Sequence, residues 1–159
     1  MIVEAIIGNL EETKFQEKTI EYVDIEWHEA FSKLHRKTTK EGTEVGIRLG
    51  NEVLTRGLRQ DDVLYADAKK VIAVNIPPCE VIEATVAADH PRMREKLCYE
   101  VGNRHATLFW GDADNTFVTP YNEPMLVMLS KLHGVTAVKK TQKLNFHHAI
   151  SSTVNAHTH

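Results

Sequence analysis

The chain has 159 residues, 42% of them hydrophobic and 26% charged, with a formal net charge of -3 at pH 7. That suits a soluble protein of one domain or two small ones, and the interleaving of basic with acidic residues leaves no stripe for nucleic acid. No apolar run is long enough to span a membrane and the N-terminus lacks the pattern of a leader, so no membrane partner and a cytoplasmic protein are expected. The two cysteines, Cys79 and Cys98, lie far apart without metal spacing and are expected to be buried thiols.

Ile2-Val-Glu-Ala-Ile-Ile7 predicts a strand closed by Gly8-Asn9. Thr19 to Trp27 alternates imperfectly, with Tyr22 opposed to Val23, Ile25 and Trp27 and the acids Glu21, Asp24 and Glu26 mostly on a wet face. Glu29 to Leu34 reads equally as a helical turn or as the start of a strand. His35 to Lys40, Glu41-Gly42 and Thr43 to Leu49 form a hairpin, the basic run being the solvated side of an edge strand. Asp61-Asp62 supplies turn chemistry before Val63-Leu-Tyr65, and Ala66-Asp-Ala-Lys69 leads into Val71-Ile-Ala-Val74 as a second hairpin.

Pro77-Pro78 interrupts the β pattern, because successive prolines remove two backbone donors and fix both φ angles. After it the order is β-α-β-β-α-β. Cys79 to Val86 is a strand. A helix follows, capped by Asp89 or His90, with Pro91 in its first turn and Met93, Leu97, Cys98 and Val101 on one stripe. Gly102 or Asn103 is expected to end it in the left-handed conformation. His105 to Trp110 is the next strand, with Phe109 and Trp110 on opposite faces. Gly111 to Asn115 is a turn and Thr116 to Thr119 the partner strand. A second helix starts near Asn122-Glu-Pro124, carries Met125 and Met128 in the core, and stops at Gly134. Val135 to Leu144 is the last strand. The fold class is therefore α+β: a small all-β domain over 1–76, a ferredoxin-like βαββαβ domain over 77–144, and a flexible tail over 145–159.

Histidine carries the functional signal. His28, His35 and His133 have no partner at a meaningful spacing, and His90 reads as a cap. His105 sits at a helix–strand junction as either a structural imidazole or a metal ligand. The tail adds His147-His148 and then His157-Thr-His159 in a sequence too polar for a core. Imidazole suits nickel, zinc and copper. Two copies of His105 near the axis of a homodimer would leave an open coordination sphere for the tail to fill, an arrangement suited to transfer. No acid–base pair, activated nucleophile or phosphate loop points to an enzyme. The alternative is a protein-interaction adaptor with incidental metal affinity in its tail.

Tyr22-Val-Asp-Ile-Glu-Trp27, the turn from Gln60 to Tyr65, Ala73-Val-Asn-Ile76 and above all Gly102-Asn-Arg-His105 resemble the UreE family of urease accessory proteins, the nickel metallochaperones. The resemblance implies a peptide-binding-like β domain before a ferredoxin-like metal-binding domain that pairs into a homodimer, with a dimer of dimers as a further possibility. It implies Ni(II) as cargo, with Zn(II) or Cu(II) as competitors. His105 becomes the nickel ligand shared between subunits, His147 or His148 the first auxiliary, and His157 and His159 the looser ones. Some members carry further histidines where this chain has Asp112, Asn115 and Phe117, so no second site is expected there. The implied partners are the urease accessory GTPase and the urease apoprotein with its accessory complex.

Overall fold

The structure, a computed structural model, describes residues 1–152 and Val154. It has a mixed α+β architecture in two compact units, Met1–Pro77 and a second beginning at Pro78.

The first unit runs β1 (Ile2–Val3), β2 (Gly8–Asn9), a 3-10 turn, β3 (Thr19–Asp24), β4 (Leu34–Thr38), β5 (Glu44–Arg48), α1 (Val53–Arg56), β6 (Asp62–Ala66) and β7 (Lys70–Asn75). These strands form a three-stranded sheet, β1-β5-β4, and a four-stranded sheet, β2-β6-β7-β3. The expected single strand over residues 2–7 is divided: Ile2–Val3 pairs parallel to β5, whereas Gly8–Asn9 joins the other sheet against β6. The β4–β5 hairpin forms with Gly42 in its turn at φ +94°. Glu29 to Ser32 makes successive turns that bury Ala30 and Phe31, and the strand starts at Leu34.

Two acids depart from expectation. Glu21 shares the buried side of β3 with Val23, so the wet face proposed for it does not exist. Its carboxylate accepts from the hydroxyls of Thr39 (2.9 Å) and Thr43 (2.7 Å) and from Lys70 Nζ (2.9 Å). These partners hold its pKa below the ordinary carboxylate value, Lys70 contributing most. A carboxylate here is tolerated because its oxygens are all occupied. Asp62 is also buried, gripped by both terminal nitrogens of Arg56 (2.6 and 2.9 Å) and by the backbone N–H of Arg59 (2.8 Å). Asp61 does behave as a turn residue, at φ +66°.

The second unit runs β8 (Cys79–Val86), α2 (Met93–Asn103), β9 (Phe109–Trp110), β10 (Thr116–Pro120), α3 (Glu123–Ser130), β11 (Val135–Gln142) and a 3-10 turn (Phe146–His148). Its antiparallel sheet has the order β11-β8-β10-β9. Ile82, Ala84 and Val86 of β8, Leu97 and Val101 of α2, Phe117 of β10 and Met125 and Leu129 of α3 make one apolar cluster. Burial of each large member contributes roughly 1.5–3 kcal/mol. Met128 packs on the rim of this cluster. Phe109 is buried and Trp110 exposed, on opposite faces as the alternation predicts. Cys79 and Cys98, expected to be buried, are only partly so.

The helix ends are instructive. At α3 the Asn122 side chain accepts the Met125 N–H (2.8 Å) with Pro124 in the first turn, so the sequence signal acts as written. At α2 it does not. Neither Asp89 nor His90 caps: the N-cap is Arg92, without a side-chain bond, and Pro91 lies in the preceding turn.

Candidate metal site

His105 owes its position to the way α2 ends. The His105 N–H donates to Gly102 O (2.9 Å) and the Ala106 N–H to Val101 O (3.3 Å). These are the paired bonds of a Schellman motif, which requires one left-handed residue just past the cap. The sequence offered Gly102 or Asn103 for that conformation. Instead both belong to the helix, Arg104 is the cap, and His105 itself is left-handed at φ +56°. Glycine is the usual occupant, and any other residue gives up of the order of 1 kcal/mol there. Strain kept at one imidazole is a recognised mark of a functional position. The ring is exposed, beyond the last turn of α2, and the Arg104 guanidinium is turned back onto Glu100, donating to its carboxylate at 2.7 Å and to its carbonyl at 3.0 Å.

The chain after His105 does not enter a strand at once; β9 covers only Phe109 and Trp110. Thr107 and Leu108 are buried because the C-terminal segment lies along them. The Ile150 N–H donates to Leu108 O (2.8 Å), the Leu108 N–H to Ser151 Oγ (3.1 Å) and the Thr107 hydroxyl to Val154 O (2.7 Å). Ala149 forms an antiparallel bridge to Phe109. The segment expected to be loose from residue 145 onwards is thus packed through Ser151, and again at Val154. Phe146 and Val154 supply the apolar contacts that the polar composition obscured.

His147 and His148 sit on the 3-10 turn, both exposed, where Asn145 Oδ1 accepts the His147 N–H (3.0 Å). They belong to the Phe109 end of the packed segment, and Val154 to the end nearest His105. His157 and His159 lie outside the described residues. Among the described residues no three or more His, Cys, Asp or Glu side chains are gathered around a point that could hold a metal ion. Burial pushes the Cys98 thiol pKa up, so it is a poor source of thiolate. Phe117, in the region where a second site was not expected, is core.

One arrangement escaped the sequence entirely. His90 and His133, read as a cap and a lone surface residue, have ring centroids 4.6 Å apart, and Asp89 Oδ1 is 2.8 Å from His90 Nδ1. The available signal was the pairing of the first and last strands of this unit, which makes the loops before α2 and after α3 neighbours.

The region thus presents an exposed imidazole at a left-handed position past the helix end, and the class of the protein comes from the likenesses of the chain. Residues 3–77 match the N-terminal domain of the UreE urease accessory protein. Over 132 residues the chain is 41% identical to the urease accessory protein UreE of Helicobacter pylori (strain Shi470), covering 83% of this chain and 76% of that protein. It is 40% identical to the protein of that name from Helicobacter acinonychis and 39% identical to that of Helicobacter bizzozeronii, covering 83% of this chain and 76% and 73% of theirs. The chain belongs to the UreE family of urease accessory proteins. The role of that family, and of this chain within it, is nickel chaperoning for urease maturation, without catalysis. The adaptor alternative draws no support from these likenesses.

Proposed function

We propose that the chain carries Ni(II) on His105, at the interface of a homodimer in the cytoplasm, and delivers it to the urease apoprotein through the urease accessory GTPase. Residues 1–76 are a peptide-binding-like domain in this reading and residues 77–144 a ferredoxin-like, metal-binding and dimerising one. The β-α-β-β-α-β order and the sheet order β11-β8-β10-β9 support that label for the second. The observation that carries the reading is the left-handed, exposed His105 at the end of α2. An exposed imidazole at a left-handed position past the helix end can meet its copy across a two-fold axis, and two such rings leave coordination positions open for exchange.

The tail completes the sphere. Val154 O accepts from the Thr107 hydroxyl, two residues from His105. Three further residues of chain span up to about 10 Å, which brings His157 within reach of the anchor. Ala149, by contrast, pairs with Phe109, four residues along the backbone from His105. Within one copy this moves the preference from His147 and His148 towards His157 and His159. Zn(II) and Cu(II) compete because imidazole selects weakly among these ions, and a shared ion could join two dimers.

Calorimetric titration of the full chain with Ni(II) tests the assignment. His105→Ala is expected to remove the tightest site and to cost at least a hundredfold in affinity; an unchanged isotherm sinks it. Replacing His157 and His159 together is expected to weaken binding more than replacing His147 and His148. Affinity should fall as pH drops through about 6, because only neutral imidazole ligates.

A further inference from the structure

A second pair of imidazoles stands at the other end of α2, which spans about 16 Å. It is built by two loops held together through the backbone. The end of β8 at Val86 is in register with the start of β11 at Val135, and just beyond this pair the Ala87 N–H donates to Gly134 O (2.8 Å). The His90 N–H in turn donates to Ala87 O (3.0 Å). Gly134 is left-handed at φ +76°, and a Cβ there would lie 2.6 Å from His90 Cγ. Only glycine lets the His90 ring rest on that bare backbone beside His133.

The ring centroids stand 4.6 Å apart with the planes at 75°. Two imidazoles bound through nitrogen to one ion, at about 2.1 Å each, place their centres about 4.5–5 Å apart. Asp89 Oδ1 is 2.8 Å from His90 Nδ1, which leaves Nε2 as the nitrogen free for a ligand. A carboxylate behind an imidazole is the usual device for fixing the tautomer of a metal-bound histidine. The His90 side chain is 31% exposed and that of Asp89 81% exposed, so an ion enters from solvent without opening the fold. His90 has no capping duty to explain its place.

We propose that His90 and His133 form a second binding site for a divalent transition ion of the nickel, copper and zinc group, with Asp89 orienting His90. Two protein ligands leave the rest of the sphere to water, so the site is open and weaker than a closed structural one. It is separate from His105 and does not depend on the assignment made for that residue.

The test uses Ni(II) alone and the full-length chain, as wild type and with His105→Ala. Paramagnetic broadening of backbone amide resonances reads the location, and calorimetry reads the affinity. The amides of residues 87–92 and 132–134 should broaden at sub-saturating Ni(II) in the His105→Ala chain, and in the wild type once the first equivalent has bound. His90→Gln or His133→Gln should abolish that broadening and remove one weak equivalent, with the far-ultraviolet circular dichroism unchanged. Asp89→Asn should weaken the site about tenfold. Broadening that skips these loops, or that survives both histidine substitutions, overturns the proposal. A His105→Ala chain that keeps its tightest site would instead overturn the anchor assignment and leave this one standing.

Discussion

The first unit hides charge and the second does not. Among the described residues of the first, Glu21 and Asp62 are buried carboxylates, each satisfied by a basic side chain brought from elsewhere in the chain. Among those of the second, the buried polar side chains are the threonines Thr107, Thr116 and Thr119, and the rest of the interior is apolar. Its histidines stand on loops and helix ends. A core without ionisable groups does not respond when surface imidazoles gain or lose a proton or an ion. A core that holds Glu21, whose pKa its partners keep low, responds to acid directly. The proposed metal sites both lie on the second unit.

Each unit carries one tryptophan, Trp27 in the first and Trp110 in the second, so single-tryptophan versions made with Trp110→Phe or Trp27→Phe can follow them separately in urea. The largest effect is expected from Leu97→Ala, which empties a fully buried position. A loss of about 3 kcal/mol should appear in the Trp110 transition, and a larger shift at Trp27 would break the contrast. Asp62→Asn comes next. It leaves Arg56 without its carboxylate and should cost about 2–3 kcal/mol at Trp27, less than a fully buried pair because the Arg56 side chain is 36% exposed.

His105→Gly should go the other way. Glycine relieves the left-handed strain and is expected to raise the unfolding free energy read from the Trp110 transition by about 1 kcal/mol while nickel affinity falls. A destabilised variant would mean that the imidazole holds the helix end. The smallest effect concerns pH. Because the folded pKa of Glu21 lies below its ordinary 4.5, its contribution is present above that value and is lost as pH falls through the folded pKa. Acid titration should therefore weaken the Trp27 transition below about pH 4.5, and Glu21→Gln should flatten that dependence.

What could be read in the sequence was local. Gly134, expected to stop the second helix, lies four residues past its end at Ser130, but the second unit announced itself through Asn122 and Pro124 at one helix start and an apolar stripe ending at Val101. Such signals act within a few residues, and the structure keeps them. The misses were made at long range. Glu21 shows no sign in sequence of its bond to Lys70, 49 positions away. The parallel partners of β1 and β3 lie beyond any hairpin logic, and α1 is too short for periodicity to register. At His105 the apolar stripe gave the helix, but not which residue would take the left-handed turn, since Gly102 was an equally good candidate. His90 and His133 meet only because β8 and β11 are neighbours.

The packing of Ala149, Ile150, Ser151 and Val154 along Thr107 to Phe109 has a practical side. β9 is the outermost strand of its sheet, and an uncovered strand of that kind recruits other chains. Cutting the chain before His147 would strip this cover together with the histidines. The shortened protein would then clump through its bared edge, and any loss of nickel delivery would be mistaken for a loss of ligands. The histidines of this segment are best removed one side chain at a time, with the main chain left in place as the seam that keeps the sheet closed.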